Sequence, residues 1–163
     1  MSTAAAQRFT LRDYRAEDSG ALLALDRVCF PAEVACLNAD LREAIESARA
    51  VCLVAECADG AIAGFVVATA RERRYGHVIT LDVAPEFRRG GIGQRLMRAA
   101  EERISGLGFR RLRLEVGSSN RAAQQLYEKL GYKQTGFIQR YYGDGGDAWV
   151  MEKRCTPAAA GGQ

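Results

Sequence analysis

One histidine in 163 residues, His77, excludes a site built on several imidazoles. No cluster of carboxylates and cysteines at ligand spacing surrounds it, so no metal centre is expected. Long apolar runs are missing as well: nothing reaches the ~18 consecutive apolar residues of a membrane span. The opening MSTAAAQRFT has neither the basic nor the apolar region of a secretory leader, and a cytoplasmic protein with no membrane partner is expected. The five cysteines, Cys29, Cys36, Cys52, Cys57 and Cys155, form no CxxC pair and are odd in number, a pattern of free thiols rather than a disulfide framework. None stands beside a histidine, which argues against a thiol nucleophile. Charge of one sign is lacking too. The 23 basic and 20 acidic residues are spread along the chain for a net +3, so no nucleic-acid-binding tail is present and no direct nucleic-acid binding is expected. There is no internal repeat.

The length suits one domain, placed at residues 8–154 between flexible ends at 1–7 and 155–163. RFTLRDYR alternates as a first strand. Ala21, Leu22, Leu25, Val28 and Cys29 recur at helical spacing, and Leu37, Leu41, Ile45 and Ala48 do so again after a Pro-containing turn. VCLVAEC and AIAGFVVATA flank the turn signal ADG as a hairpin, and HVITLDVAP is a further strand ended by Pro85. A helix starts at Gly91 and stops near SGLGF. RLRLEV alternates with Leu112, Leu114 and Val116 on one face and Arg111, Arg113 and Glu115 on the other. RAAQQLYEKLGY is a helix with Asn120 as N-cap and Gly131 as C-cap, and two strands, Lys133 to Tyr142 and Asp147 to Lys153, flank GDGG. The order predicts an α/β (α+β) domain: a mixed sheet of about seven strands with helices on both faces.

The stretch APEFRRGGIGQRLM concentrates glycine and arginine where a strand passes into a helix. The first N–H groups of a helix lack intrahelical partners and carry the positive end of its dipole, so this junction is an anion site. The P-loop pattern is absent because no Lys and Ser/Thr pair follows the glycines. The dinucleotide fingerprint fails because Leu96 stands at its third glycine. What remains is R-x-x-G-x-G: Arg88, Gly91, Gly93.

That pattern, with LEVGSSNRAAQQLYEKLGY downstream, resembles the GNAT superfamily of acetyl-CoA-dependent N-acetyltransferases. The resemblance covers most of Phe9 to Lys153 and is closest to RimI-type N-alpha-acetyltransferases of ribosomal-protein amino termini and their archaeal relatives. It implies central strands that splay to admit acetyl-CoA between the strand holding Leu81, Asp82 and Val83 and the strand holding Glu115. Arg88, Arg89, Gly90, Gly91, Ile92, Gly93 and Gln94 would hold the pyrophosphate, and Asn120 and Tyr127 would face the pantetheine arm. The backbone N–H of Val83 would polarise the thioester carbonyl.

Amine acetylation needs a neutral nitrogen and a proton for the departing thiolate. The resemblance implies Glu115 as base, acting through water, and Tyr127 as acid. A terminal ammonium, at ~7.8 against ~10.4 for lysine, is easier to deprotonate by about 3.5 kcal/mol, which suits a carboxylate relay to an amino terminus. Other readings stay open: Glu115 paired with Arg113 on one strand face, Tyr127 as core, and Asp82, a departure from the small or apolar residue usual there, binding the substrate ammonium, acting as a second base, or paired with Arg71 or Arg73 on a neighbouring strand. Glu33, Tyr141 and Tyr142 are the residues implied for the acceptor. The expected partners are acetyl-CoA and a peptide or protein N-terminus, a ribosomal protein among the candidates, bound by a monomer or weak homodimer. Acetylation of a small amine or a lysine, and non-catalytic acyl-CoA binding, are the alternatives.

Overall fold

The computed structural model describes residues 8–30, 38–71, 75–143 and 145–155. Seven strands and four helices follow in the order β1 (Phe9–Asp13), α1 (Ser19–Cys29), α2 (Asn38–Glu46), β2 (Ala50–Cys57), β3 (Ile62–Arg71), β4 (Tyr75–Val83), α3 (Ile92–Gly106), β5 (Arg111–Gly117), α4 (Arg121–Lys129), β6 (Lys133–Ile138) and β7 (Ala148–Arg154). One-turn 3₁₀ segments at Ala16–Asp18 and Pro85–Phe87, which periodicity does not announce, lead into α1 and the α3 junction. The strands form one sheet in the order β1-β2-β3-β4-β5-β7-β6. Every neighbouring pair is antiparallel except β4 and β5.

Burial on both faces makes β2 and β3 near-continuous apolar runs. Alternate residues feed two cores. Val51, Leu53, Ala55, Val66 and Ala68 meet Leu96, Met97, Ala100 and Ile104 of α3 and Tyr127 and Leu130 of α4. Cys52, Val54, Phe65 and Val67 meet Leu22 of α1 and Leu41 and Ile45 of α2. Gly76 lets α3 close on β4, since a Cβ there would stand 2.5 Å from Ile104 Cγ2.

Three sequence expectations shift. Val28, counted in the apolar stripe of α1, is exposed, and Asp26 is buried in its place. β6 ends at Ile138 rather than Tyr142, because Arg140 takes φ +53° and its N–H turns to Asp147 Oδ1 at 3.0 Å. Cys155, assigned to the flexible end, is buried, and its N–H donates to the Arg110 carbonyl at 2.8 Å. Cys29, Cys52, Cys57 and Cys155 are free thiols; Cys36 lies outside the described residues. No helix among the described residues is long and apolar enough to cross a membrane.

Candidate active site

The parallel pairing of β4 with β5 holds for two steps only, Gly76↔Leu112 and His77↔Arg113. Beyond them the strands separate into a wedge. A bulge in β4, where Val67 pairs Thr80 but Ala68 pairs Val78, adds a residue and resets which side chains face which way. Ala84 N–H donates to the Ala63 carbonyl at 2.8 Å, so Ala84 and, two residues back, Asp82 turn their backbone groups toward β3. Leu81 and Val83 therefore turn theirs toward the wedge. Gly64 allows the close ladder on the other side, since a Cβ there would sit 2.6 Å from the Asp82 carbonyl oxygen.

At its mouth the wedge meets the start of α3. Gly91 is the N-cap at φ +79°, left-handed backbone that favours glycine, and Arg89 precedes it at φ +66°. The first-turn bond runs from Arg95 N–H to the Gly91 carbonyl, and the N-cap, a glycine, supplies no side-chain cap. The N–H groups of Ile92, Gly93 and Gln94 thus lack intrahelical partners. Gly93 packs the turn against the wedge, with a built Cβ 3.4 Å from Leu126 and 3.6 Å from Val83. Arg89, Gly90 and Gln94 are exposed, and Ile92 is buried. Arg88 instead reaches back, its Nε donating to the Val83 carbonyl at 3.1 Å, where Cys29 Sγ also donates at 3.4 Å. Burial and the Asp82 charge push the Cys29 thiol up, against the pull of Arg88, so it stays protonated.

Tyr127 enters from α4. Its ring stacks edge-on with Tyr132 at 5.9 Å between centroids, and it is core, as one sequence reading had it. Burial first, then the charges of Asp82 and Tyr142, push its phenol up, which keeps it a proton donor. Asn120 caps α4, its Oδ1 accepting from Ala123 N–H at 3.2 Å. Tyr142 lies over Gly117 and stacks edge-on with the exposed Tyr141 at 4.9 Å, on a loop tied to the α4 entry by Ser118 N–H on the Asp147 carbonyl, 2.9 Å. Glu33 lies outside the described residues.

Glu115 sits two residues past the last β4–β5 pair, on the face opposite the α3–α4 core. Arg113 Nε donates to its Oε1 at 3.2 Å, as the alternative reading anticipated, and His77 Nε2 lies 2.6 Å from its Oε2. Burial works to raise the carboxyl. Hydrogen bonding and electrostatic attraction from His77, with the Arg113 guanidinium, outweigh that and hold it below its ordinary value.

Asp82 does not pair with Arg71. Arg71 is the register partner of Tyr75, seven residues along β4, whereas Asp82 is opposite Phe65; Arg73 lies outside the described residues. Asp82 is buried against α1, accepts from Thr80 Oγ1 and stands close enough to the Asp26 carboxyl to feel its charge. Burial and the Asp26 carboxyl push it up to about 8, against the Thr80 bond and Arg88. Such a pair keeps one proton through neutral pH. Asp26 and His77 were missed as members of this region. Asp26 had a signal, since it follows Leu22 by four residues on the buried face of α1; His77 had none, because it meets Glu115 only through a strand register that sequence does not disclose.

Residues 20–132 match the model of the acetyltransferase (GNAT) family. An N-alpha-acetyltransferase of Sulfurisphaera tokodaii is 39% identical over 77 residues, 47% of this chain and 46% of that protein. The matched stretch thus spans about half the length of such curated relatives. Among solved structures, Ard1 from Thermoplasma volcanium superposes with a TM-score of 0.80 at 26% identity, over 91% of this chain and 98% of that one. The ribosomal-protein-S18-alanine N-acetyltransferase from Escherichia coli does so at 0.81 and 22% identity, over 96% and 99%, and shares the fold.

Proposed function

We propose that this chain, which belongs to the acetyltransferase (GNAT) family, is a cytoplasmic enzyme that transfers acetyl from acetyl-CoA directly to the alpha-amine of a peptide or protein. The observation that carries this reading is the wedge between β4 and β5, which leaves Leu81 and Val83 without a strand partner on that side, beside the start of α3. An extended pantetheine arm would use those backbone groups as an added strand. The pyrophosphate would take the N–H groups from Ile92 to Gln94, with Arg88 and Arg89 adding charge.

Val83 N–H, aimed into the wedge, is the donor for the thioester oxygen as it becomes an oxyanion. Tyr127, a buried phenol held in its neutral form, delivers a proton to the departing sulfur. Glu115 accepts, through water, the proton that the acceptor ammonium must lose. Tyr141 and Tyr142 border the acceptor side. The similarity to N-alpha-acetyltransferases favours an amino-terminal acceptor over lysine or a small amine. Ribosomal proteins are acceptors to test first, given the likeness to the S18-alanine enzyme.

The test is incubation with acetyl-CoA and peptides that each carry one free amino terminus and one internal lysine, with the acetyl group located by fragment mass spectrometry. Acetyl on the terminus supports the reading, and acetyl only on lysine overturns the acceptor assignment. Tyr127→Phe keeps the ring stacked on Tyr132 and should lower kcat roughly 10²-fold with acetyl-CoA binding retained. Unchanged turnover would remove its role as acid.

A further inference from the structure

Charge that is spread evenly along the sequence is not spread evenly on the sheet. β5 and β7 pair so that Arg111 stands directly opposite Arg154, and the ladder runs one step further, with Cys155 N–H donating to the Arg110 carbonyl at 2.8 Å. On the other side of β7, Lys133 opens β6 as a register partner of Glu152. Three strands thus bring Arg110, Arg111, Lys133 and Arg154 to one end of the sheet, and all four are exposed. Like charges directly opposite each other on neighbouring strands repel. Glu152 offsets part of this, its Oε2 lying 3.6 Å from Arg111 Nε, whereas Arg113, its register partner on β5, is bonded to Glu115. Lys153 turns away and binds Glu101 Oε1 at 3.0 Å. Arg110, Lys133 and Arg154 form no ion pair among the described residues. Two open hollows of about 510 and 500 Å³ adjoin here. The first runs from Lys133 to Arg154, the second from Arg154 to Arg110, and Arg111 and Arg154 line both.

A guanidinium is a flat fork of donors, always charged, that matches the oxygens of a phosphate. A row of them, set along a groove by paired strands and short of carboxylates, suits successive anions on one thread. Single-stranded nucleic acid can bend its phosphates along hollows of this size, whereas a duplex, stiff over a far greater length, meets them at one point. We infer that this end of the sheet is a docking surface for the phosphate backbone of single-stranded nucleic acid, carried by Arg110, Arg111, Arg154 and Lys133. Contacts of this kind read charge rather than sequence. The surface is separate from the reaction. Glu115 lies four residues along β5 from Arg111, roughly 13 Å, and the wedge widens away from Arg111, so a docked strand leaves the acyl and acceptor sides open. The inference holds whichever amine is acetylated.

The test is fluorescence anisotropy of a labelled oligouridine of about 20 nucleotides, titrated with the full chain at several salt concentrations, with and without saturating coenzyme A. The logarithm of the association constant should fall against the logarithm of salt with a slope of about −2 to −3, since each neutralised phosphate contributes about −0.7 and three or four cations are on offer. Arg111→Gln with Arg154→Gln removes two charges and keeps most of each stem. It should bring the slope to about −1 and weaken binding roughly tenfold at 50 mM salt. Arg110→Gln with Lys133→Gln, at the two ends of the groove, should do the same, and reads the surface if the first pair unfolds. Arg42→Gln with Arg98→Gln, on exposed faces of α2 and α3, loses the same charge and should leave the slope as it was. Equal weakening in that control would make binding a matter of net charge and overturn the surface. Displacement by coenzyme A would move the binding to the start of α3 and overturn it likewise. An oligoglutamate of equal charge that competes at equal concentration would make the guest an acidic peptide, and a duplex bound as tightly would overturn the choice of a single strand. No binding at 50 mM salt overturns the inference outright.

Discussion

Asp82→Asn should make the protein more stable at pH 8 and leave it little changed at pH 4. The side chain is 1% exposed, so solvent does little to screen it. Unfolded, an aspartate ionises near ~3.9; folded, Asp82 keeps its proton to about 8. Between those values folding takes up a proton, so stability falls as pH rises, by about 1.4 kcal/mol per pH unit. The contribution is whole below the unfolded value and lost by the folded one. From pH 5 to pH 8 this amounts to about 3–4 kcal/mol, on the order of half the stability of an ordinary domain. Asparagine matches the volume, accepts from Thr80 as before and offers an N–H to Asp26, so it removes the titration and keeps the packing. Urea denaturation of both proteins at pH 5, 6.5 and 8 gives the comparison, in which groups common to the two cancel. The stability curves should diverge with rising pH. Parallel curves would mean that Asp26 and Asp82 do not share a proton, and would refute the reasoning.

Gly76→Ala should cost about 1–3 kcal/mol, because its Cβ would stand 2.5 Å from Ile104 Cγ2 inside a packed core. Combined with Ile104→Ala, it should cost less than the two substitutions summed; additive losses in urea denaturation would show that strand and helix do not meet there. Asn120→Ala removes the side-chain acceptor for Ala123 N–H and should cost about 1 kcal/mol, while Asn120→Asp keeps most of it, a difference that thermal denaturation measures.

The order of strands and helices was legible because each element carries its own period. Leu112, Leu114 and Val116 alternate on β5, and Ala123, Leu126, Tyr127 and Leu130 recur along α4 and into its C-cap, where local burial decides the outcome. The caps were legible for the same reason: Asn120 and Gly131 act within one turn of their helix. Contacts between distant segments were not. The pairing of His77 with Glu115 depends on a parallel register of two steps, and that of Asp82 with Asp26 on how α1 crosses β4. A bulge in β4 shifts the facing of every side chain after it, and nothing in HVITLDVAP announces the extra residue. The alternation in β6 likewise gave no sign that Arg140 would leave the sheet.

A sheet ordinarily has two margins. This one has four, since the parting of β4 from β5 gives each strand a bare border inside the molecule besides those of β1 and β6. An outer margin invites any passing strand, and proteins guard it with charge, brevity or irregular backbone. The inner margins are guarded by geometry. They converge at His77 and Arg113, so what enters is stopped at a fixed depth, and a second full-length strand finds too little parallel border to zip onto. A slot of this shape suits a slender, extended guest with alternating amide groups, and the point where the borders meet would set how far its leading atom travels.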